Sequence, residues 1–132
     1  MNKLLTLDCL FLNEDRHTHN IAILIKDGNK YDYCPIFDNG AGLLSDITMD
    51  YPLGEDIYKQ IDSVKAKTIS LNFEEQMDIS EQLYGMNLKP HFTKKDVDDI
   101  LDAPRAQIYS EEIRKRVKTI IYEQMRKYPY LF

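Results

Sequence analysis

Apolar positions fall into one dense run, two short runs and three periodic stretches. Leu4, Leu5, Leu7, Cys9, Phe11 and Leu12 leave residues 2–12 apolar nearly all round, which predicts a helix buried on most sides. A strand is the rival reading for so short a run. Residues 13–20 are polar, hold two histidines and read as a loop. Two apolar runs, IAILIK and YDYCPIF, flank Asp27-Gly28-Asn29, a hairpin signal. The pattern predicts a strand over 21–26, a turn over 27–30 and a strand over 31–34. Pro35 ends the second strand by removing a ladder donor. Residues 38–42 form a loop whose Gly40 and Gly42 can take φ > 0 or approach a ligand closely.

Pro52 and Gly54 break any long element in residues 43–73, leaving a short helix over 56–62 and a short extended piece over 67–71. Residues 74–85 follow as an amphipathic helix with Met77, Ile79, Leu83 and Tyr84 on its apolar side and Gly85 as C-terminal cap. Thr93, with Asp96 three residues on, opens a helix through Leu101, and Val97, Ile100 and Leu101 lie on one side. Ser110 caps a last helix over 111–127, with Glu111 and Glu112 in its first turn, where the helix dipole favours acid. Ile113, Val117, Ile120, Ile121 and Met125 form its apolar stripe, and Pro129 stops it. The terminal Tyr128-Pro129-Tyr130-Leu131-Phe132 is apolar enough to dock on the domain or to form a self-association patch. The fold class expected is α+β, mainly α: one domain over 1–132, with a small hairpin at about 21–34 and several helices.

Composition narrows the classes. At 132 residues, 43% apolar and 30% charged, the chain is globular and long enough for a core. Its net charge of −5 gives no general attraction for nucleic acid or anionic lipid. The acid is concentrated: residues 46–102 carry 13 acidic and 6 basic side chains, and residues 110–132 carry 3 and 6. An intramolecular balance accounts for this asymmetry. Cys9 and Cys34 form no zinc or redox motif and read as buried free thiols. No run approaches the ~18 apolar residues of a membrane span, and Asp8 interrupts the only candidate signal segment. A cytoplasmic location, with no membrane partner and no direct nucleic-acid partner, is the expectation.

The chemistry concentrates in residues 12–42. Phosphoryl transfer from a nucleotide needs a carboxylate to orient the attacking hydroxyl and accept its proton, and hard oxygen ligands to hold magnesium against the phosphates. In the protein-kinase pattern the catalytic Asp is followed five residues later by a magnesium-binding Asn. Here Asp15 is followed at that interval by Asn20, and Asp38-Asn39-Gly40 stands after the predicted hairpin. A hairpin with adjacent ends brings Asn20 and Asp38 to the same end of the sheet.

The segment LNEDRHTHNIAIL…YCPIFDNGAGLL resembles the catalytic region of the HipA-like serine/threonine kinases, a fold distantly kin to protein and phosphatidylinositol kinases. The likeness is specific over residues 10–45 and looser over 46–132. It implies Asp15 as catalytic base, Asn20 and Asp38 as magnesium and nucleotide ligands, Mg2+ and ATP as cofactors, and a protein serine or threonine as substrate. Those kinases carry an N-terminal lobe with a phosphate-gripping loop and a lysine. Here Lys3 is the one basic residue before Arg16, and no glycine precedes Gly28. The resemblance is therefore to a kinase C-terminal lobe. Another protein chain supplying the nucleotide lobe, or a homodimer, is the partner it implies. A missing lobe would leave an apolar wall exposed, for which Leu5, Phe11, Ile36 and Phe37 are the candidates.

Two other readings stand beside this one. The chain suits a non-catalytic kinase-like interaction or regulatory module. His17 and His19, a His-x-His pair beside Asp15, would serve a metal-dependent hydrolase if further ligands joined them. Arg16 reads as one half of a structural ion pair or as a partner for a phosphorylated segment.

Overall fold

Why the leucine-rich run at the start forms a buried helix is visible in its neighbours. The computed structural model describes residues 1–28 and 30–132. Helix α1 (Asn2–Phe11) packs against both α3 (Phe73–Tyr84) and α5 (Glu111–Lys127). Such a helix needs apolar residues on more than one side. It also buries Asn2, Thr6 and Asp8. Asn2 Nδ2 donates to Ser80 Oγ of α3 at 3.0 Å, and its Oδ1 accepts from the Asn87 amide at 2.7 Å. Helix α2 (Ile57–Ser63) lies on α5 and is capped by Asp56. Helix α4 (Lys94–Asp102) also lies on α5, behind a Thr93–Asp96 capping box. One core cluster draws on Cys9, Leu10, Leu12, Leu44, Phe73, Met77, Ile120, Tyr128 and Leu131. The C-terminal segment therefore docks through Tyr128 and Leu131, while Tyr130 and Phe132 stay exposed.

The architecture is mixed α+β and mainly helical. Among the described residues its sheet is one antiparallel hairpin, β1 (Ile23–Lys26) with β2 (Lys30–Tyr33). Gly28, at φ 77°, turns the chain between them; Asn29, in the predicted turn, lies outside the described residues. The register pairs Ile23 with Tyr33 and Ile25 with Tyr31, so these four side chains share one face. Leu24, Lys26, Lys30 and Asp32 occupy the other, where Lys26 and Asp32 form an ion pair. Every strand residue is exposed. The apolar face is therefore turned to solvent, with Ile25 71% and Tyr33 80% exposed.

Several expectations change. Residues 67–71, expected to be extended, bend at Thr68, Ile69 and Leu71. In α3 the buried face is Phe73, Gln76, Met77 and Ser80, while Leu83 and Tyr84 are exposed. Ile100 of α4 is exposed too. Of the candidate apolar wall, Leu5 is fully buried and Phe11 half-buried against the core, whereas Ile36 and Phe37 are exposed. Cys34 is half-buried, and only Cys9 is fully buried.

Burial pushes the Cys9 thiol from its ordinary 9.0 to about 12, because the thiolate would lose its hydration. Above about pH 9 an unfolded chain releases this proton and the folded one keeps it, so stability is complete below that pH and declines above it. The slope is up to ~1.4 kcal/mol per pH unit. Buried Tyr128 is raised for the same first reason, and its effect adds at still higher pH. The urea midpoint is expected to fall above about pH 9 in the wild type, with a shallower fall in Cys9→Ala. Parallel pH profiles for the two proteins would refute this.

Candidate functional site

The loop after α1 is built around a buried guanidinium. Leu12 ends the helix in the left-handed region, at φ 51°, which reverses the chain and returns Asn13 to Asp8. The Asn13 side chain donates to Asp8 Oδ1 at 2.8 Å. Arg16, whose side chain is 1% exposed, then reaches back beneath the loop. Its Nε donates to Asp8 Oδ2 at 2.9 Å and its Nη2 to Asp8 Oδ1 at 3.1 Å. Its Nη1 donates to the carbonyls of Asn20 at 2.9 Å and Phe37 at 2.7 Å. A further Nη2 bond goes to Asn39 Oδ1. Arg16 is thus half of a structural ion pair, as one of the two readings of the sequence held.

This hub decides which candidate residues meet. The segments holding Asn20 and Asp38 both hang from Arg16. Asn20 is 8% exposed, and its Nδ2 donates to the Asp15 carbonyl at 2.8 Å. That bond engages the amide nitrogen, and among the described residues Oδ1 has no hydrogen-bond partner. Asp38 is exposed, between the two anchored residues Phe37 and Asn39, in the left-handed region at φ 55°. An Asp tolerates this conformation better than most residues, because its short polar side chain can bond locally. Of the two roles open to Gly40 and Gly42, neither takes positive φ; in this loop Asp38, Leu43 and Leu44 do. Gly42 makes its close approach to the protein: a Cβ there would lie 3.2 Å from the Phe11 carbonyl oxygen.

Asp15 is half-exposed, with His17 Nε2 3.8 Å from its Oδ1. The His17 Nδ1 accepts from the His19 amide at 3.2 Å, capping the short 3-10 turn Thr18–Asn20. An accepting Nδ1 places the imidazole proton of neutral His17 on Nε2, the atom facing Asp15. That same bond takes His17 Nδ1 away from any metal. The His17 and His19 rings meet edge to face at 5.4 Å. Among the described residues no three His, Cys, Asp or Glu side chains gather where a metal ion would sit.

Beside Asn20 runs a groove of about 720 Å³. One wall is Ile21, Ala22 and Ile23 with Tyr33 to Phe37; the other is Met1 to Leu4, with Tyr84 and Asn87. Asn20 lines it, whereas Asp15 and Asp38 lie outside its lining. The groove is continuous with the apolar hairpin face through Ile23 and Tyr33.

No family model, curated protein or solved structure matches the chain. Among the described residues no helix is long and apolar enough to cross a membrane.

The arrangement offers one half-exposed carboxylate with an imidazole N–H beside it, one exposed carboxylate and one amide oxygen. Asn20 Oδ1 and the Asp38 carboxylate are hard oxygen donors of the kind magnesium takes. Motif reasoning missed Asp8, Asn13 and Asn39, which hold these groups without belonging to them. The available signal was Asp8 itself, a lone carboxylate inside an apolar helix, which requires a buried partner.

Proposed function

We propose that this chain is a kinase C-terminal-lobe-like domain of HipA-like type, acting in phosphoryl transfer from ATP to a protein serine or threonine. Asp15 orients the attacking hydroxyl and accepts its proton. Asn20 and Asp38 hold magnesium, which supplies charge neutralisation at the phosphates when bound. The observation that carries this reading is the shared anchoring of Asn20 and Phe37–Asn39 on the Arg16 Nη1 and Nη2 atoms. It supports the hairpin logic of the motif, in which residues far apart in sequence act at one place. The bond from Asn20 Nδ2 to the Asp15 carbonyl supports it further, since it leaves the metal-binding atom of the amide free.

The test is paramagnetic broadening of amide resonances by substoichiometric Mn2+·ATP, which detects even millimolar binding. Broadening is expected at residues 20–22 and 37–40, and its loss in Asn20→Ala and Asp38→Ala. Uniform or absent broadening in the wild type would sink the reading. That outcome would favour a non-catalytic interaction module, which rests on the same exposed hairpin face.

The apolar face of Ile23, Ile25, Tyr31 and Tyr33 is the proposed seat of a chain carrying the nucleotide lobe, or of a second copy. A sheet face of this composition is ordinarily covered by another layer. Because Ile25 is exposed, Ile25→Lys is expected to change stability by less than ~0.5 kcal/mol while abolishing the association. Sedimentation of the chain, alone and with a candidate lobe, reads this. Association that survives the substitution removes the face as the seat.

A further inference from the structure

The phosphotransfer reading assigns no work to Arg16, yet it is among the largest fully buried side chains in the protein. A guanidinium has five N–H donors in a rigid planar fork. Each of the five is engaged: Nε once, Nη1 twice and Nη2 twice. Two of the bonds end on Asp8 of α1, in the packed interior. Three end on Asn20 and on the residues flanking Asp38.

We propose that Arg16, braced by Asp8, is the positioning residue that sets the spacing of Asn20 and Asp38 and so prepares the metal site. This rests on the phosphotransfer reading. Asn20 is held at both ends, its carbonyl by Arg16 Nη1 and its side chain by the Asp15 carbonyl. Asp38 is held on both sides, through the Phe37 carbonyl and the Asn39 side chain. A left-handed Asp in an exposed loop persists when its surroundings over-determine it, and those two anchors do so. The planarity of the fork fixes the three anchor points relative to one another. A lysine has three donors on one point charge and cannot reproduce that arrangement.

The test separates positioning from plain stability. Arg16→Lys carries a risk of unfolding, so the informative variant is Asn39→Ala. It removes one arm at an exposed position and leaves the Asp8 pair intact. The expected results are a thermal midpoint within about 3 °C of wild type, faster amide exchange confined to residues 36–41, and an apparent Mn2+·ATP affinity weakened about 10-fold. Unchanged affinity in Asn39→Ala, with or without a looser loop, overturns the positioning role while phosphotransfer stands. A wild type that binds no Mn2+·ATP overturns both.

Discussion

Asp8→Ala is expected to lower the free energy of unfolding by about 3–5 kcal/mol, the cost of removing one partner of a buried ion pair. The Asp8 side chain is 3% exposed and that of Arg16 1%. The carboxylate accepts two bonds from Arg16 and one from Asn13. Its loss strands a guanidinium in the interior and frees three N–H groups that water cannot easily reach. Against a total stability of roughly 5–15 kcal/mol for a domain, that is a large fraction. Asp8→Asn is expected to cost less, because one acceptor oxygen remains. Replacing both Asp8 and Arg16 with Met should recover part of the loss and no more. The stranded charge disappears, but the carbonyls of Asn20 and Phe37 lose their donor. Urea midpoints of the wild type, Asp8→Met, Arg16→Met and the double variant give the coupling directly. A drop below about 1 kcal/mol for Asp8→Ala would mean that water or a neighbouring group compensates the guanidinium.

Asp15→Asn is expected to reduce phosphate transfer to serine or threonine by about 10²–10⁴-fold, the usual contribution of a positioned general base. The measurement belongs in the complex with the lobe-bearing chain. Asp15 is half-exposed, and among the described residues its carboxylate's one ion-pair partner is His17, at 3.8 Å, so stability should hardly change. Its carbonyl, which holds the Asn20 side chain, is untouched by the substitution. Mn2+·ATP affinity should therefore persist while transfer is lost. Undiminished transfer would remove Asp15 as the base. Loss of transfer together with loss of affinity would mean that Asp15 serves metal binding.

Much of the secondary structure was legible because its signals are local. The span of α5 follows from Ser110, the acidic first turn and Pro129, and the Thr93–Asp96 capping box from spacing alone. Asp27-Gly28 marked the hairpin, since a tight reversal needs a residue free to take positive φ. The three candidate residues of the loop were also local, each readable as a residue type at an interval. Their common anchor was not. Asp8, Arg16, Asn20 and Asn39 lie on three separate segments, and no periodicity links them.

What residue order alone established here is the list of elements, their caps and the candidate chemical groups. What required the assembled chain is which faces are covered. Helix α3 shows the reason. Leu83 and Tyr84 are apolar but exposed, while Gln76 and Ser80 are polar but buried. Gln76 Oε1 accepts from the Ile69 amide at 3.0 Å, and Ser80 Oγ accepts from Asn2 at 3.0 Å. A polar group enters the interior when a partner there replaces its water. Leu12 and Leu44 make the same point in the backbone. Both adopt the left-handed conformation that leucine disfavours, and both are buried in the core. Burying such a side chain is worth about 1.5–3 kcal/mol, enough to outweigh the roughly 1–2 kcal/mol cost of that conformation. A local preference is set within a few residues, whereas burial depends on distant residues that the folded chain brings into contact.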